Sequence, residues 1–406
     1  MSELARLPRP EDFAPPPTAT DRRRWEEADL AALPKRLAAL RARMEGEGVD
    51  ALLLTSHADA RYFTGMRFGP NEEPTAGSSG WVVVSPDRLG IFVDSRYAVQ
   101  ARREAPHAEA IDYGSDAGAA VGTWAARSGV RRLGLDPHVV RHAVWERITT
   151  TTPGIELVST RGWGVQLRAV KEAAEIERIA AACAVADRAL AALLPQIRLG
   201  ITEVELAWSL ERAMREGGAE ALAFDVAALA GGNAALPHGN PGERALRLGE
   251  VILFDFGAQV AGYRSDMTRT LFLGEPSAED RDIYLRVLRG QSAAIELLQR
   301  SVNGGAAALP SGRAADEAAR DAIGRIHGLY DHGLGHGIGL QTHESPSLSR
   351  SAPTDPLPTP TVFSVEPGIY IEGRIGVRIE DLVAVDLAAG RLERLTRFPS
   401  NPIVLG

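Results

Sequence analysis

The chain has 406 residues, room for two or three domains, and its 45% apolar and 24% charged residues are ordinary for a globular protein. A net charge of −8, with lysines and arginines scattered rather than clustered, excludes a protein built to hold nucleic acid or another polyanion non-specifically. The single cysteine, Cys183, excludes an intrachain disulfide, and its place in a helical apolar pattern with Ile176, Ile179, Ala186 and Leu190 marks it as core filler.

The opening stretch "MSELARLPRPEDFAPPP" lacks the apolar centre of a signal peptide, and no apolar run approaches bilayer-crossing length, so a cytoplasmic location is expected. Five prolines between 8 and 17 predict an extended arm. From 34 to 160, short strands ("DALLLT", "GWVVVS", "GIFVD", "RRLGLD") alternate with helices ended by glycine ("LPKRLAALRARMEGEG", "GAAVGTWAARSG"). This predicts an α/β domain over 1–165 that includes the arm at 8–17.

Over 166–406 the order changes. A helix is expected from 172 to 195. A second starts at Thr202, where Glu205 completes a capping box, and stops at Gly217-Gly218. Strands follow, ending in "VILFDFGAQVAGYRSDMTRTLFLG". The same order then repeats: a helix from Ser277 with Asp280 three residues on, another after Ser311, and strands ending in "FSVEPGIYIEGRIGVRIEDLVAV". Helix, helix, hairpin thus occurs twice, and an α+β domain of two related halves facing a shared site is expected.

Each hairpin carries two acids. A two-residue turn at Ala261-Gly262 pairs Val260 with Tyr263, sets Asp255 opposite Thr268 and Gly257 opposite Asp266, and leaves both aspartates on one face. As diagonal neighbours their Cα atoms stand about 7–8 Å apart, close enough to share a cation. A three-residue loop at Glu372-Gly373-Arg374 pairs Ile371 with Ile375 and sets Glu366 opposite Glu380. Two bare like charges there would repel, and a cation between them removes the problem.

Three histidines fall within "HGLGHGIGLQTH", residues 332–343. His332 and His336 have the i, i+4 spacing of zinc ligands on a helix. The glycines at 333, 335, 337 and 339 argue against a helix, each costing roughly 1 kcal/mol there. They fit an extended segment whose bare face something approaches closely, with His332 and His336 on one side and His343 reaching them only after a bend. The tally is four carboxylates and at least one imidazole, and the four negative charges balance two divalent cations. Such a pair can activate a bridging water and polarise a carbonyl. Oxygen-rich ligation suits Mn²⁺ better than a structural zinc.

The stretches "LPHG" (236–239), "FDFGAQVAGYRSDMTRT" (254–270), "DHGLGHGIGLQTHE" (331–344), "VEPGIY" (365–370) and "GVRIED" (376–381) resemble, in order, the pita-bread metallopeptidases of the Xaa-Pro branch, the Xaa-Pro dipeptidases (prolidases) and Xaa-Pro aminopeptidases. "RYFTG" (61–65) and "VDSRY" (93–97) are similar, more loosely, to the creatinase-like N-terminal domain of that family. The resemblance implies a pita-bread catalytic domain around a dinuclear metal site, and metal-dependent hydrolysis of the bond between an N-terminal residue and proline by a metal-bridging hydroxide. It implies Asp255, Asp266, His336, Glu366 and Glu380 as metal ligands, with Asp266 and Glu380 bridging the ions and Glu366 also the general base. It implies that His343 stabilises the tetrahedral intermediate, His238 holds the substrate, His332 lines the proline pocket, and Arg378 and Tyr370 support the ligand network. Two Mn²⁺ ions, with cobalt or zinc as alternatives, and a homodimer are the implied cofactors and assembly.

The sequence departs from the family in two places. Pro360 stands where a glycine is common before "VEPG". Ala352 stands where some prolidases are expected to bind a dipeptide's carboxylate with arginine, so Arg350, two residues earlier, is the candidate for that role. The dipeptidase is the expected activity, since the arm and first domain could close the far end of the site, and an aminopeptidase acting on longer peptides is the alternative. A noncatalytic protein on this scaffold would be expected to have lost ligands. A creatinase-like enzyme would not need them, and a methionine aminopeptidase would lack the large first domain.

Overall fold

The computed structural model describes residues 7–69, 76–324 and 329–406. It divides into two compact units, one of Arg23–Arg168 and one joining the segment that ends at Arg22 to Ala169–Gly406.

In the first unit the apolar runs become β1 (Ala51–Leu54), β2 (Trp81–Val84), β3 (Leu89–Val93) and β5 (Arg132–Leu135). They join β4 (Glu109–Asp112) and β6 (Glu156–Ser159) in one six-stranded sheet of order β4-β3-β2-β1-β5-β6. The pairings β1–β2 and β2–β3 are antiparallel; β1–β5, β3–β4 and β5–β6 are parallel. The two outer strands escaped the sequence reading because an edge strand is only half covered and carries no apolar run. Leu53, Val83, Phe92 and Leu133 build a core with Val121 and Trp124 of the helix Ala117–Arg127. The first long helix runs Ala19–Gly46, well before its expected start at 33, and carries Pro34 inside it. Proline usually marks a first turn, which is why the pattern read as a start there.

In the second unit the helices begin where their capping residues place them. Helices α1 (Ala173–Leu193), α2 (Glu203–Glu216), α3 (Ala278–Asn303) and α4 (Gly312–Ile323) are the four expected. Thr202, Ser277 and Ser311 each accept a backbone N–H at the first turn, and the Thr202–Glu205 capping box is present. The helical stretch Ala173–Gln196, of which α1 is the greater part, is by length and composition apolar enough to cross a bilayer, which corrects the expectation that no run would be; the apolar part that qualifies it is 61% buried inside the fold, as in a core helix. Cys183 lies on it, fully buried. The arm at 8–17 clusters with this unit: the Phe13 and Phe398 rings stack 6.1 Å apart and Arg188 Nη1 donates to Pro10 O at 2.7 Å.

Strands β7 (Ala221–Leu222), β10 (Ala258–Val260) and β11 (Tyr263–Arg264) form a small sheet in the order β11-β10-β7. Two larger sheets deliver the site. Strands β8 (Ala227–Ala230), β9 (Val251–Phe256), β12 (Met267–Leu273) and β20 (Val404–Leu405) form one in the order β20-β12-β9-β8. Strands β13 (Gly335–Gly337), β14 (Glu344–Leu348), β15 (Thr361–Val365), β18 (Asp381–Asp386) and β19 (Arg391–Arg394) form the other in the order β14-β13-β15-β18-β19. A separate ribbon pairs β16 (Gly368–Ile371) with β17 (Ile375–Arg378). The front of α3 packs into the core around Phe272 and Val377, and its rear into the core around Phe363 and Val383.

Candidate active site

The first hairpin turns at Ala261 (φ 47°) and Gly262 (φ 80°), both left-handed, as a two-residue hairpin turn requires. Val260 pairs with Tyr263 and Asp255 with Thr268, the expected register. The second hairpin pairs Ile371 with Ile375 and Gly368 with Arg378. Beyond it Val365 pairs with Asp381 in the same register, so Glu366 and Glu380 stand opposite each other where the chain passes between two sheets.

His336 is the middle residue of β13, extended as expected. A Cβ on Gly335 would collide with the Ser364 carbonyl oxygen, and one on Gly337 with that of Ser345. The flanking glycines therefore let two backbones close on the strand that carries the histidine. His336 Nδ1 lies 3.0 Å from Gly337 O, and since a carbonyl only accepts, the proton is on Nδ1. The Nε2 lone pair then points at Glu366 Oε1 (3.3 Å) and Asp266 Oδ2 (3.7 Å). That tautomer is the one a metal-binding imidazole needs.

These groups line one cavity of about 340 Å³ with His238, His332, His343, Phe224, Pro237, Thr342 and Arg378. Asp266, His336 and Glu380 each offer one ligand atom, all within 4.8 Å of one another. Asp255 Oδ1 and Glu380 Oε1 are buried with no hydrogen-bond partner among the described residues. An orphaned anionic oxygen is costly unless a cation meets it, so the donor set fits divalent ions. Burial, then the neighbouring carboxylates, raise the pKa of Asp266 and Glu380 well above the ordinary range. Burial pushes Glu366 up to about 7, while Arg378 and the Ser364 hydroxyl oppose that rise.

Behind the carboxylates lies a hydrogen-bonded frame. Arg378 donates from Nη2 to Asp255 Oδ2 (2.5 Å), from Nε to Thr268 Oγ1 (2.9 Å), and from Nη1 to Tyr370 Oη (2.9 Å) and Pro237 O (3.3 Å). Thr268 passes its own proton to Glu380 Oε2 at 2.7 Å. Ser364 Oγ accepts from the His336 N–H at 3.1 Å and donates to Glu366 Oε1 at 2.9 Å. His332 is fixed at both ring nitrogens, Nδ1 donating to Gly333 O (2.7 Å) and Nε2 accepting from the Tyr370 hydroxyl (2.9 Å). Burial, then the Arg378 charge, push its pKa down to about 4.

The structure thus gathers Asp255, Asp266, His336, Glu366, Glu380, His238, His332, His343 and Arg378 around one cavity, with Tyr370 bonded to its wall. Arg350 is exposed and is not among the lining residues. Thr268, Ser364, Phe224 and Thr342 were missed by sequence reasoning. Thr268 and Ser364 each stand two residues from an acid, hence on its face of the strand, a signal that could have found them.

Residues 177–386 match metallopeptidase family M24, and residues 36–170 match the creatinase/prolidase N-terminal domain. An uncharacterized peptidase of Bacillus subtilis (YqhT) is 32% identical over 362 residues, 88% of this chain and 96% of that protein. Among solved structures, an Xaa-Pro dipeptidase from Bacillus anthracis is 33% identical with a TM-score of 0.81, covering 92% of this chain and 100% of that one. An X-Pro aminopeptidase from Thermotoga maritima is also 33% identical, with a TM-score of 0.74 over 89% of this chain and 100% of that one.

Proposed function

The chain belongs to metallopeptidase family M24, with a creatinase-type first domain and a pita-bread catalytic domain, and from that premise we propose that it hydrolyses the bond between an N-terminal residue and proline. The observation that carries the proposal is the pair of buried oxygens without a hydrogen-bond partner among the described residues, Asp255 Oδ1 and Glu380 Oε1, in a cavity that also holds His336, Asp266 and Glu366. These five residues would hold two divalent ions, and oxygen-rich ligation makes Mn²⁺ the proposed metal. When bound, the ions supply an acidified water and Lewis acidity for the carbonyl.

The protein's own groups do the rest. Glu366 takes the proton of the attacking water at Oε2, the oxygen that Ser364 does not engage, and returns it to the proline nitrogen as the C–N bond breaks. His343 and His238, both exposed at the cavity, donate N–H groups to the carbonyl oxygen as it gains charge. His332 has both nitrogens occupied, so only its C–H edge is left to face a substrate. That edge suits a pyrrolidine ring, which lacks an amide N–H and cannot be held as a strand.

Xaa-Pro dipeptides are the first reading for substrate, supported by the likeness to the Bacillus anthracis dipeptidase. One observation favours longer peptides. Arg378 is the only arginine or lysine among the described lining residues, and Asp255, Thr268, Tyr370 and Pro237 already occupy it. A dipeptide's carboxylate then has no free cation within the described cavity wall. The test is hydrolysis of Xaa-Pro, Xaa-Pro-Yaa and the matched Xaa-Ala peptides, with Mn²⁺ and with chelator. Metal-dependent cleavage confined to the proline peptides is expected, and equal turnover of the alanine peptides would refute the proposal. A tripeptide cleaved as fast as the dipeptide would make the enzyme an aminopeptidase.

A further inference from the structure

Glutamate in the first turn of a helix is usually solvated, where it complements the helix dipole. Glu203, the first residue of α2, is instead 0% exposed. Its Oε1 accepts from the Ala230 N–H (2.7 Å) and the Asn233 side-chain amide (3.0 Å). Its Oε2 accepts from the same Asn233 amide (3.1 Å) and from the Gly242 N–H (3.1 Å). Ala230 ends β8 and Gly242 lies twelve residues on. One carboxylate therefore closes both ends of a single loop and also grips Asn233 in the turn that opens it.

That loop carries Pro237 and His238 into the cavity. Its opposite flank is packed without slack, since a Cβ on Gly376 of β17 would collide with the Ala234 carbonyl oxygen. The His238 ring itself is exposed and makes no hydrogen bond to any described residue. No hydrogen bond to a described residue fixes the ring, so the path of the backbone does, held also at the Pro237 carbonyl by Arg378.

We propose that Glu203 is a positioning residue for His238, its carboxylate setting where the loop between Ala230 and Gly242 holds that imidazole. The catalytic half of this inference rests on the role given to His238 above. Glutamine at 203 keeps the volume but turns one acceptor oxygen into a donor that faces donors. A misplacement of about 1 Å can cost on the order of a hundredfold in rate.

The experiment uses the full chain loaded with Mn²⁺ and an Xaa-Pro peptide, comparing Glu203→Gln, His238→Ala and the double variant. Glu203→Gln is expected to lower kcat by roughly tenfold to a hundredfold with little change in KM. In the His238→Ala background the same change is expected to cost less than about twofold, because both act through one imidazole. Equal losses in both backgrounds would overturn the proposal. If Glu203→Gln does not fold, Asn233→Ala, which removes only the side-chain grip near the start of the loop, is expected to show the same non-additivity. A second readout needs no substrate. In protein loaded with diamagnetic Zn²⁺ and labelled with ¹³Cε1-histidine, the His238 resonance, identified by its loss in His238→Ala, is expected to shift or broaden in Glu203→Gln while those of His332 and His336 stay. An unmoved His238 resonance would overturn the positioning role. A moved resonance with His238→Ala fully active would keep Glu203 as the loop's clamp and refute the catalytic reading of His238 alone.

Discussion

Arg378 holds Asp255 by one oxygen, Nη2 to Oδ2 at 2.5 Å, and leaves the other, Oδ1, buried and without a partner among the described residues. The same guanidinium reaches Glu380 through Thr268. One planar fork thus aims two carboxylates from two different hairpins. Burial alone would lower the pKa of Arg378, but Tyr370, Asp255, Glu366 and Glu380 around it hold the charge in place. Lysine would keep the charge and lose the fork. Arg378→Lys is therefore expected to bind Mn²⁺ about 10–100-fold more weakly, as measured by competition with a chelating dye. Unchanged affinity would mean that charge, not geometry, is what the site requires.

Gln291 of α3 predicts a second effect. Its Nε2 donates to Val365 O (3.2 Å), Ile379 O (3.2 Å) and Asp381 Oδ2 (3.0 Å), all of them acceptors, which settles the amide's orientation. Val365 and Ile379 precede Glu366 and Glu380, so one amide ties the two strand ends that present the facing glutamates. Asp381 is itself held by the buried Arg269 (2.6 Å) and Thr396 (2.6 Å). Gln291→Met, which fills the space without a donor, is expected to cost about 1–3 kcal/mol in urea unfolding. Weaker Mn²⁺ binding should accompany that loss. Stability within 0.5 kcal/mol of wild type, roughly the spread of neutral substitutions, would show the tie to be incidental.

Glycine 337 gives a sharper case. Its missing Cβ is where the Ser345 carbonyl stands, and the approaching atom is backbone, which cannot rotate away. Gly337→Ala is expected to abolish soluble folding or to cost more than about 3 kcal/mol, with Mn²⁺ unable to rescue it. A well-folded variant would mean that β14 can shift outward.

What the sequence made legible was local. Ala261-Gly262 is a hairpin turn by its own chemistry, and once the turn is placed the period of two carries Asp255 and Asp266 to one face. The spaced glycines announced a close approach, though not by which strand. What stayed hidden was long-range. Gln291 meets Val365 and Ile379 across 74 and 88 residues, and Glu203 meets Gly242 across 39. A glutamine on a helix and a glutamate in a first turn look like any others until the fold brings their partners to them. Arg350 stands in the exposed turn after β14 and is not among the residues that line the cavity.

The acids make the metal a matter of pH. Glu366 is pushed up to about 7 from an ordinary 4.5, and Asp266 and Glu380 are raised as well, all first by burial. A carboxyl whose folded pKa lies above its unfolded one holds protons that the unfolded chain has lost. Its contribution to stability is complete below about pH 4 and is lost as pH rises through 7. His332, pushed down to about 4, works the other way: its contribution is present above about 6.5 and is lost as pH falls through 4. The chelated protein should therefore be most stable in weak acid and lose Tm as pH rises from there through about 7. Bound Mn²⁺ replaces the protons, so the loaded protein should hold its Tm across that range, and the gap between the two curves should widen with pH. Calorimetry of Mn²⁺ binding at pH 6.5, in two buffers of different ionisation enthalpy, should report release of about one proton or more. Parallel Tm curves and no proton release would mean that Mn²⁺ does not bind at these carboxylates.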